Sequence, residues 1–129
     1  MSKKLTCHCE KVELEINLPE TGFQKLMRCN CSLCKRKGAV MSPIEKDKVK
    51  IIKGQSNLKT YQYHTKVAEH YFCSDCGIYT HHKMRSNPNM IGINVACVEG
   101  INPFELGEIS VNDGINHPLD QKNKLKWTV

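Results

Sequence analysis

The sequence predicts an all-β domain whose turns carry metal-binding cysteines. Three observations predict it. Apolar residues alternate with polar ones along Lys11-Val12-Glu13-Leu14-Glu15-Ile16-Asn17, and Ile91, Ile93, Val95 and Cys97 alternate in the same way. That is the two-residue period of half-buried strands. No segment sustains the 3.6-residue period of a helix. Seven of the eight cysteines fall into three tight groups, Cys7/Cys9, Cys29/Cys31/Cys34 and Cys73/Cys76, and these groups are expected on turns.

Taken in order, Lys11 to Asn17 is a strand ended by Leu18-Pro19-Glu20-Thr21-Gly22. Phe23 to Arg28 leads as a short strand into the cysteine triplet. Gly38 to Ile44 is the next, with Pro43 pointing to an edge or a bend because proline has no N–H for a ladder. Val49-Lys50-Ile51-Ile52 comes after it, then a turn at Gly54-Gln55-Ser56-Asn57. Leu58 to His64 and Val67 to Phe72 form a strand pair joined near Thr65-Lys66. The second runs into Cys73 and the Cys76-Gly77 turn, where glycine lets the backbone fold back over a metal. Ile78 to Lys83 resumes as strand. Arg85-Ser86-Asn87-Pro88-Asn89 is a loop by composition. Ile109 and Val111 make a last short strand, and only Leu119 to Leu125 has a faint helical character.

A chain of 129 residues without repeat, linker or low-complexity tract is expected to form a single domain over 1–129. Its core is modest, so metal cross-links would carry much of its stability. No apolar run is long enough to span a membrane. The start, Met-Ser-Lys-Lys-Leu-Thr-Cys, has no apolar signal segment, which points to the cytoplasm. In that setting abundant cysteine favours metal over disulfides, and thiols one or two residues apart are poor disulfide partners.

The thiol groups hold two, three and two cysteines in chain order. The pairs Cys7/Cys9 and Cys73/Cys76 can together close a four-thiolate zinc site that ties the first strand to the middle of the chain. Cys29, Cys31 and Cys34 then form a site with three protein ligands. A zinc with four protein ligands is normally structural, whereas one with three keeps a position for chemistry. Unligated buried cysteines are the plain alternative, disfavoured because close-set thiolates repel one another unless a cation neutralises them. A histidine or Cys97 closing the triplet is a second alternative, although Cys97 is in phase with Ile91, Ile93 and Val95 and reads as core.

Three thiolates on a dication leave a net charge near −1. Such a zinc is a poor activator of water but suits a substrate sulfur held as thiolate. Seven thiolates against two dications also remove three charges from the formal +6, so basicity gives little argument for nucleic acid. Lys35-Arg36-Lys37 directly follows the triplet. It could offset thiolate charge, hold the carboxylates of an acidic thiol, or form a solvated turn; Arg85 has the same standing. His81 and His82 should point to opposite faces of a strand, with one of them facing the metal region or both simply hydrogen-bonded. His8 and His117 read as loop or outward-facing residues. Tyr61, Tyr63 and Tyr71 read as strand packing.

Cys7-His8-Cys9, Cys29-Asn30-Cys31-Ser32-Leu33-Cys34-Lys35-Arg36 and Phe72-Cys73-Ser74-Asp75-Cys76-Gly77 together resemble the glutathione-dependent formaldehyde-activating enzyme family, whose domain also occurs in centromere protein V. The likeness runs from about Cys7 to Asp120, and Arg85-Ser86-Asn87-Pro88 is similar to the centromere protein V side. One departure is Glu10, where the family commonly has glycine. The resemblance implies several coiled antiparallel sheets of the Mss4-like, or β-tent, class. It implies a structural zinc on Cys7, Cys9, Cys73 and Cys76 and a catalytic zinc on Cys29, Cys31 and Cys34. The reaction it implies joins formaldehyde and glutathione as S-(hydroxymethyl)glutathione, which is carbon–sulfur lyase chemistry in reverse. A lyase acting on a glutathione-like thiol and a small aldehyde is therefore expected. The other readings are a non-catalytic zinc-stabilised module binding protein or nucleic acid, and a thiol-based redox or metal sensor.

Overall fold

The computed structural model describes residues 1–63 and 66–115. The first strand is β1 (Ser2–Thr6), followed by β2 (Glu13–Asn17) and β3 (Met27–Cys29). A short helix α1 (Ser32–Lys37) comes next, then β4 (Met41–Glu45), β5 (Val49–Lys53) and β6 (Leu58–Tyr61). The chain continues through β7 (Glu69–Cys73), β8 (Tyr79–Lys83), β9 (Met90–Asn94) and β10 (Ser110–Asn112). His64, Thr65, His117 and the segment from Leu119 to Leu125 lie outside the described residues.

Among the described residues two sheets form, a three-stranded one in the order β1-β2-β5 and a seven-stranded one in the order β10-β3-β4-β9-β8-β7-β6. This is the all-β, Mss4-like architecture expected from the sequence. Its pairings are antiparallel except for β10, which lies parallel to β3 with Asn112 beside Cys29. A parallel neighbour needs a long connection, and most of the chain lies between these two strands.

The alternation in β2 places Leu14 and Ile16 in the core and Glu15 and Asn17 outside. Leu5, Val12, Leu14, Ile16 and Ile93 are fully buried, each contributing about 1.5–3 kcal/mol of hydrophobic stabilisation. Leu5 is the one buried residue of β1, between polar neighbours, so β1 has no apolar period to read. It is held instead by its ladder to β2, and the Met1 amine donates to the Leu18 carbonyl at 2.7 Å. Pro43 pairs with Gly92 of β9, while β3 meets β4 only at Met27 and Met41. The proline therefore stands where the ladder to β3 has already ended, which its missing N–H allows. The expected extension of β9 instead closes as a 3-10 turn over Val95–Cys97, capped by the Asn94 side chain accepting from Ala96 N.

The core has two parts, and each takes in members of one cysteine group. Cys7 and Cys73 belong to the larger cluster with Leu5, Leu14 and Ile93, against which Cys76 and Cys97 pack. Cys31 and Cys34 belong to the smaller one with Met27, Met41 and Tyr79, against which Cys29 packs.

Candidate metal centres

Cys7 and Cys9 sit on the turn from β1 to β2, and Cys73 and Cys76 on the turn from β7 to β8. Their four sulfurs all lie within 4.8 Å of one another. Both turns bend the backbone inward. Glu10 adopts a left-handed φ of 64° and donates its N–H to the Cys7 carbonyl; Gly77 has φ 76° and donates to the Cys73 carbonyl. The Val12 N–H points at Cys7 Sγ over 3.4 Å, the kind of contact that steadies a thiolate. Between the turns, Lys11 Nζ bridges to Asp75 Oδ2 at 2.7 Å, and Asn57 Nδ2 donates to the same oxygen at 2.8 Å. The Lys11 contact holds the Asp75 carboxyl below its ordinary range.

Cys29 closes β3, Cys31 caps α1, and Cys34 lies in the helix's first turn. Their three sulfurs likewise fall within 4.8 Å of one another. The tripod exists because the chain turns into a helix at this point. Cys31 Sγ accepts from Cys34 N at 3.3 Å, and Gly38, at φ 65°, ends the helix by donating to the Cys34 carbonyl. A six-residue helix is too short to show a period, so the spacing implied a turn where the structure forms a capped helix. Its Lys-Arg-Lys ending places cations at the negative helix end.

The donor chemistry suits a dication. Hydrogen bonds with Cys29 and Cys34 push the Cys31 thiol far below its ordinary range, while the same contacts push Cys34 and Cys29 up. Three sulfurs this close share protons and cannot all ionise unless a cation neutralises them. All eight cysteines are free thiols. Both groups are therefore able to hold metal ions, and zinc is compatible with soft four-sulfur and three-sulfur donor sets.

Among the described residues, neither a histidine nor Cys97 joins the tripod as a fourth ligand. Cys97 is half-buried against the larger core, with Sγ 3.7 Å from the Tyr79 carbonyl. His8 is exposed. His81 and His82 are both buried on β8. His81 meets Thr80 Oγ1 at 2.8 Å and stacks on Tyr71, whereas His82 stacks on His70 and bonds the Tyr79 hydroxyl.

The basic run after the triplet divides. Lys35 is exposed, and Arg36 Nη1 turns back to the Ser32 carbonyl at 2.7 Å. Lys37 points inward, its amine 2.9 Å from His70 Nδ1 and 3.6 Å from the centre of the Tyr79 ring. Arg85 is half-buried in the loop after β8.

Three residues around the tripod were not expected as part of it, and Tyr63, expected as strand packing, lies beyond the end of β6. The Tyr63 hydroxyl lies 3.5 Å from Cys31 Sγ. Asn30, between two of the thiols, accepts from the N–H groups of Gly114 and Ile115 at 2.7 and 3.3 Å. Gly114 is thereby laid against the tripod. Nothing in the local pattern at these positions reveals contacts made across so much of the chain.

The profile of the glutathione-dependent formaldehyde-activating enzyme family matches residues 2–108. The chain belongs to this family. Among solved structures, a protein of Rhodobacter sphaeroides is similar to it, with 47% sequence identity and a TM-score of 0.80 over 84% of this chain and 99% of that one. Both cysteine groups fall within the matched segment, while Gly114 lies beyond it. The formaldehyde-activating family is an enzyme family with a glutathione-dependent role in general. No helix among the described residues is long and apolar enough to cross a membrane.

Proposed function

We propose that this chain is a zinc-dependent carbon–sulfur lyase-type enzyme that joins glutathione, or a similar thiol, to formaldehyde or another small aldehyde as a hemithioacetal. The supporting observation is the tripod itself: three thiols of a family member brought together with no fourth protein ligand among the described residues. In this reading Cys7, Cys9, Cys73 and Cys76 hold a structural zinc, and Cys29, Cys31 and Cys34 hold a catalytic one. The catalytic zinc would supply a Lewis-acid position that favours a substrate sulfur as thiolate.

The residues around the tripod have separable roles. Cys31 and Cys34 are each only 9% exposed, so the apolar packing of Met27, Met41 and Tyr79 keeps bulk water from one side of the donors. Tyr63 offers a hydroxyl at Cys31 Sγ, and Asn30 holds the Gly114 backbone against Cys29 Sγ. Exposed Lys35 is available to the carboxylates of an acidic thiol. With free thiols throughout, the reading places the enzyme in the reducing cytoplasm.

Titration calorimetry of the zinc-loaded protein with glutathione, followed by NMR of the adduct formed with labelled formaldehyde, tests the proposal. Saturable binding and faster adduct formation than in buffer are expected. No binding together with no acceleration would refute it.

A further inference from the structure

The amine of Lys37 is the one cation of the basic run that the fold draws inward, and its surroundings are unusual for a lysine. From β7, His70 Nδ1 meets Nζ at 2.9 Å; from β8, the Tyr79 ring lies beneath it at 3.6 Å. Among the described residues no carboxylate pairs with it. The charges it senses are instead the thiols of Cys34, Cys31 and Cys29. A structural lysine is normally left in water or given an acid; this one is given a histidine and an aromatic face, close to the tripod.

That environment is itself fixed by packing. The Tyr79 hydroxyl bonds His82 Nδ1, and the His82 ring stacks on His70 with centroids 5.2 Å apart. The His82 ring fills the space where any side chain on residue 92 would stand, so Gly92 is required beneath it. The Tyr63 ring lies 6.0 Å from that of His70, and its hydroxyl reaches Cys31 Sγ. A continuous set of side chains thus runs from the tripod to the lysine amine.

We propose that Lys37 is the proton shuttle of the thiol–aldehyde reaction, with His70 as the residue that positions its amine. The inference rests on the function proposed above. In the forward direction the S–H bond of the incoming thiol breaks and its proton passes to the neutral Lys37 amine. The sulfur electron pair then forms the C–S bond, the C=O π pair moves onto oxygen, and that oxygen takes the proton from Lys37 Nζ. Thiol and aldehyde give the hemithioacetal, the lysine returns to its starting form, and no further reactant is needed. The reverse reaction runs through the same group.

The electrostatics agree with this geometry. Burial lowers the Lys37 amine to about 8, so both of its forms are populated near neutrality, as a group that must accept and release one proton requires. Burial also lowers His70 to about 4, which leaves its Nδ1 free to accept from the amine. Burial likewise lowers His82 to about 3 and raises Tyr79 well above the ordinary phenol range, so neither competes for the proton.

The test counts protons. Glutathione is titrated at pH 8 into zinc-loaded wild-type protein, Lys37→Met and Lys37→Arg, each in two buffers of different ionisation enthalpy, with zinc content and circular dichroism checked in parallel. With part of the Lys37 amine neutral at this pH, the wild type should release fewer protons than either variant. In both variants kcat should fall by about 100-fold or more. Lys37→Arg keeps the charge, so it carries the test if the methionine variant does not fold. In His70→Ala, kcat should fall with a displaced pH profile while zinc content holds. Equal proton counts, or an unchanged kcat, would overturn the inference while leaving the proposed function intact. A raised KM with kcat retained would also overturn it, by assigning the amine to a glutathione carboxylate. Absence of glutathione binding to the wild type would remove the proposed function and this inference with it.

Discussion

A Cβ placed on Gly114 would stand 2.5 Å from Cys29 Sγ and 2.7 Å from Cys31 Cβ, so the backbone at Gly114 lies directly on the tripod. Asn30 holds it there through two N–H contacts. Space, rather than an unusual φ, is what excludes a side chain. Gly114→Ala should therefore spread the sulfurs and weaken zinc at the triplet by about 10–100-fold, the range seen for supporting residues around metal ligands. Competition with a chromophoric chelator measures this, and the four-thiol group should be unaffected. Unchanged affinity at both sites would show that the segment yields without disturbing the donors.

Glu10 makes a second, local prediction. It holds a left-handed φ of 64° on the turn that follows Cys9, a conformation that costs a side-chain-bearing residue about 1–2 kcal/mol. Glu10→Gly removes that cost but adds freedom to the unfolded chain. A net gain of about 0.5–1 kcal/mol is expected in urea unfolding at saturating zinc. A loss would mean that the Glu10 side chain makes a compensating contribution.

The strands with a clean two-residue period were legible because one face is core and the other water; β2 is the clearest, with Leu14 and Ile16 inside and Glu15 outside. β1 was not, because one buried leucine among five residues gives no period and its place is fixed by the β2 ladder. The helix α1 was hidden by its length, and its signals are capping contacts made by Cys31 and Gly38 rather than apolar spacing. The thiols themselves could be read from spacing, since ligands of one site must be close and chain proximity secures much of that. Lys37 was visible only as one of three adjacent cations. Which of them turns inward depends on His70 and Tyr79, far away in the chain and brought close by the order of the larger sheet.

Metal removal should affect the two thiol groups differently. Cys7, Cys9, Cys73 and Cys76 join turns 64 residues apart, as in the 3.7 Å contact between Cys9 and Cys73 sulfurs, and two of them are built into the larger core. The tripod spans six residues and ties only β3 to α1. A mild chelator should thus extract one zinc with little change in circular dichroism, and a strong one should extract the second with cooperative loss of structure. Cys73→Ser should abolish folding under conditions in which Cys34→Ser still folds and retains one zinc. Equal loss of structure in the two variants would contradict this division.

His81 sets the response to acid. It is 5% exposed, and burial lowers it from 6.5 to about 4. Above pH 6.5 it is neutral in both folded and unfolded chains and contributes no pH dependence. As pH falls from 6.5 toward 4, the unfolded chain takes up a proton that the folded one refuses, so stability falls. The slope from this residue approaches about 1.4 kcal/mol per pH unit, with a total of up to about 3 kcal/mol. Protonation of metal-binding thiols adds its own acid sensitivity, and His81→Phe separates the two because it keeps the stacking on Tyr71 without a titrating group. The variant loses the Thr80 contact at every pH, so its stability is displaced downward near neutrality. Urea unfolding at saturating zinc between pH 7 and pH 5 should nevertheless show a shallower decline than in the wild type. Parallel curves would mean that His81 is protonated in the folded protein and that burial at this position is less complete than the packing of β8 indicates.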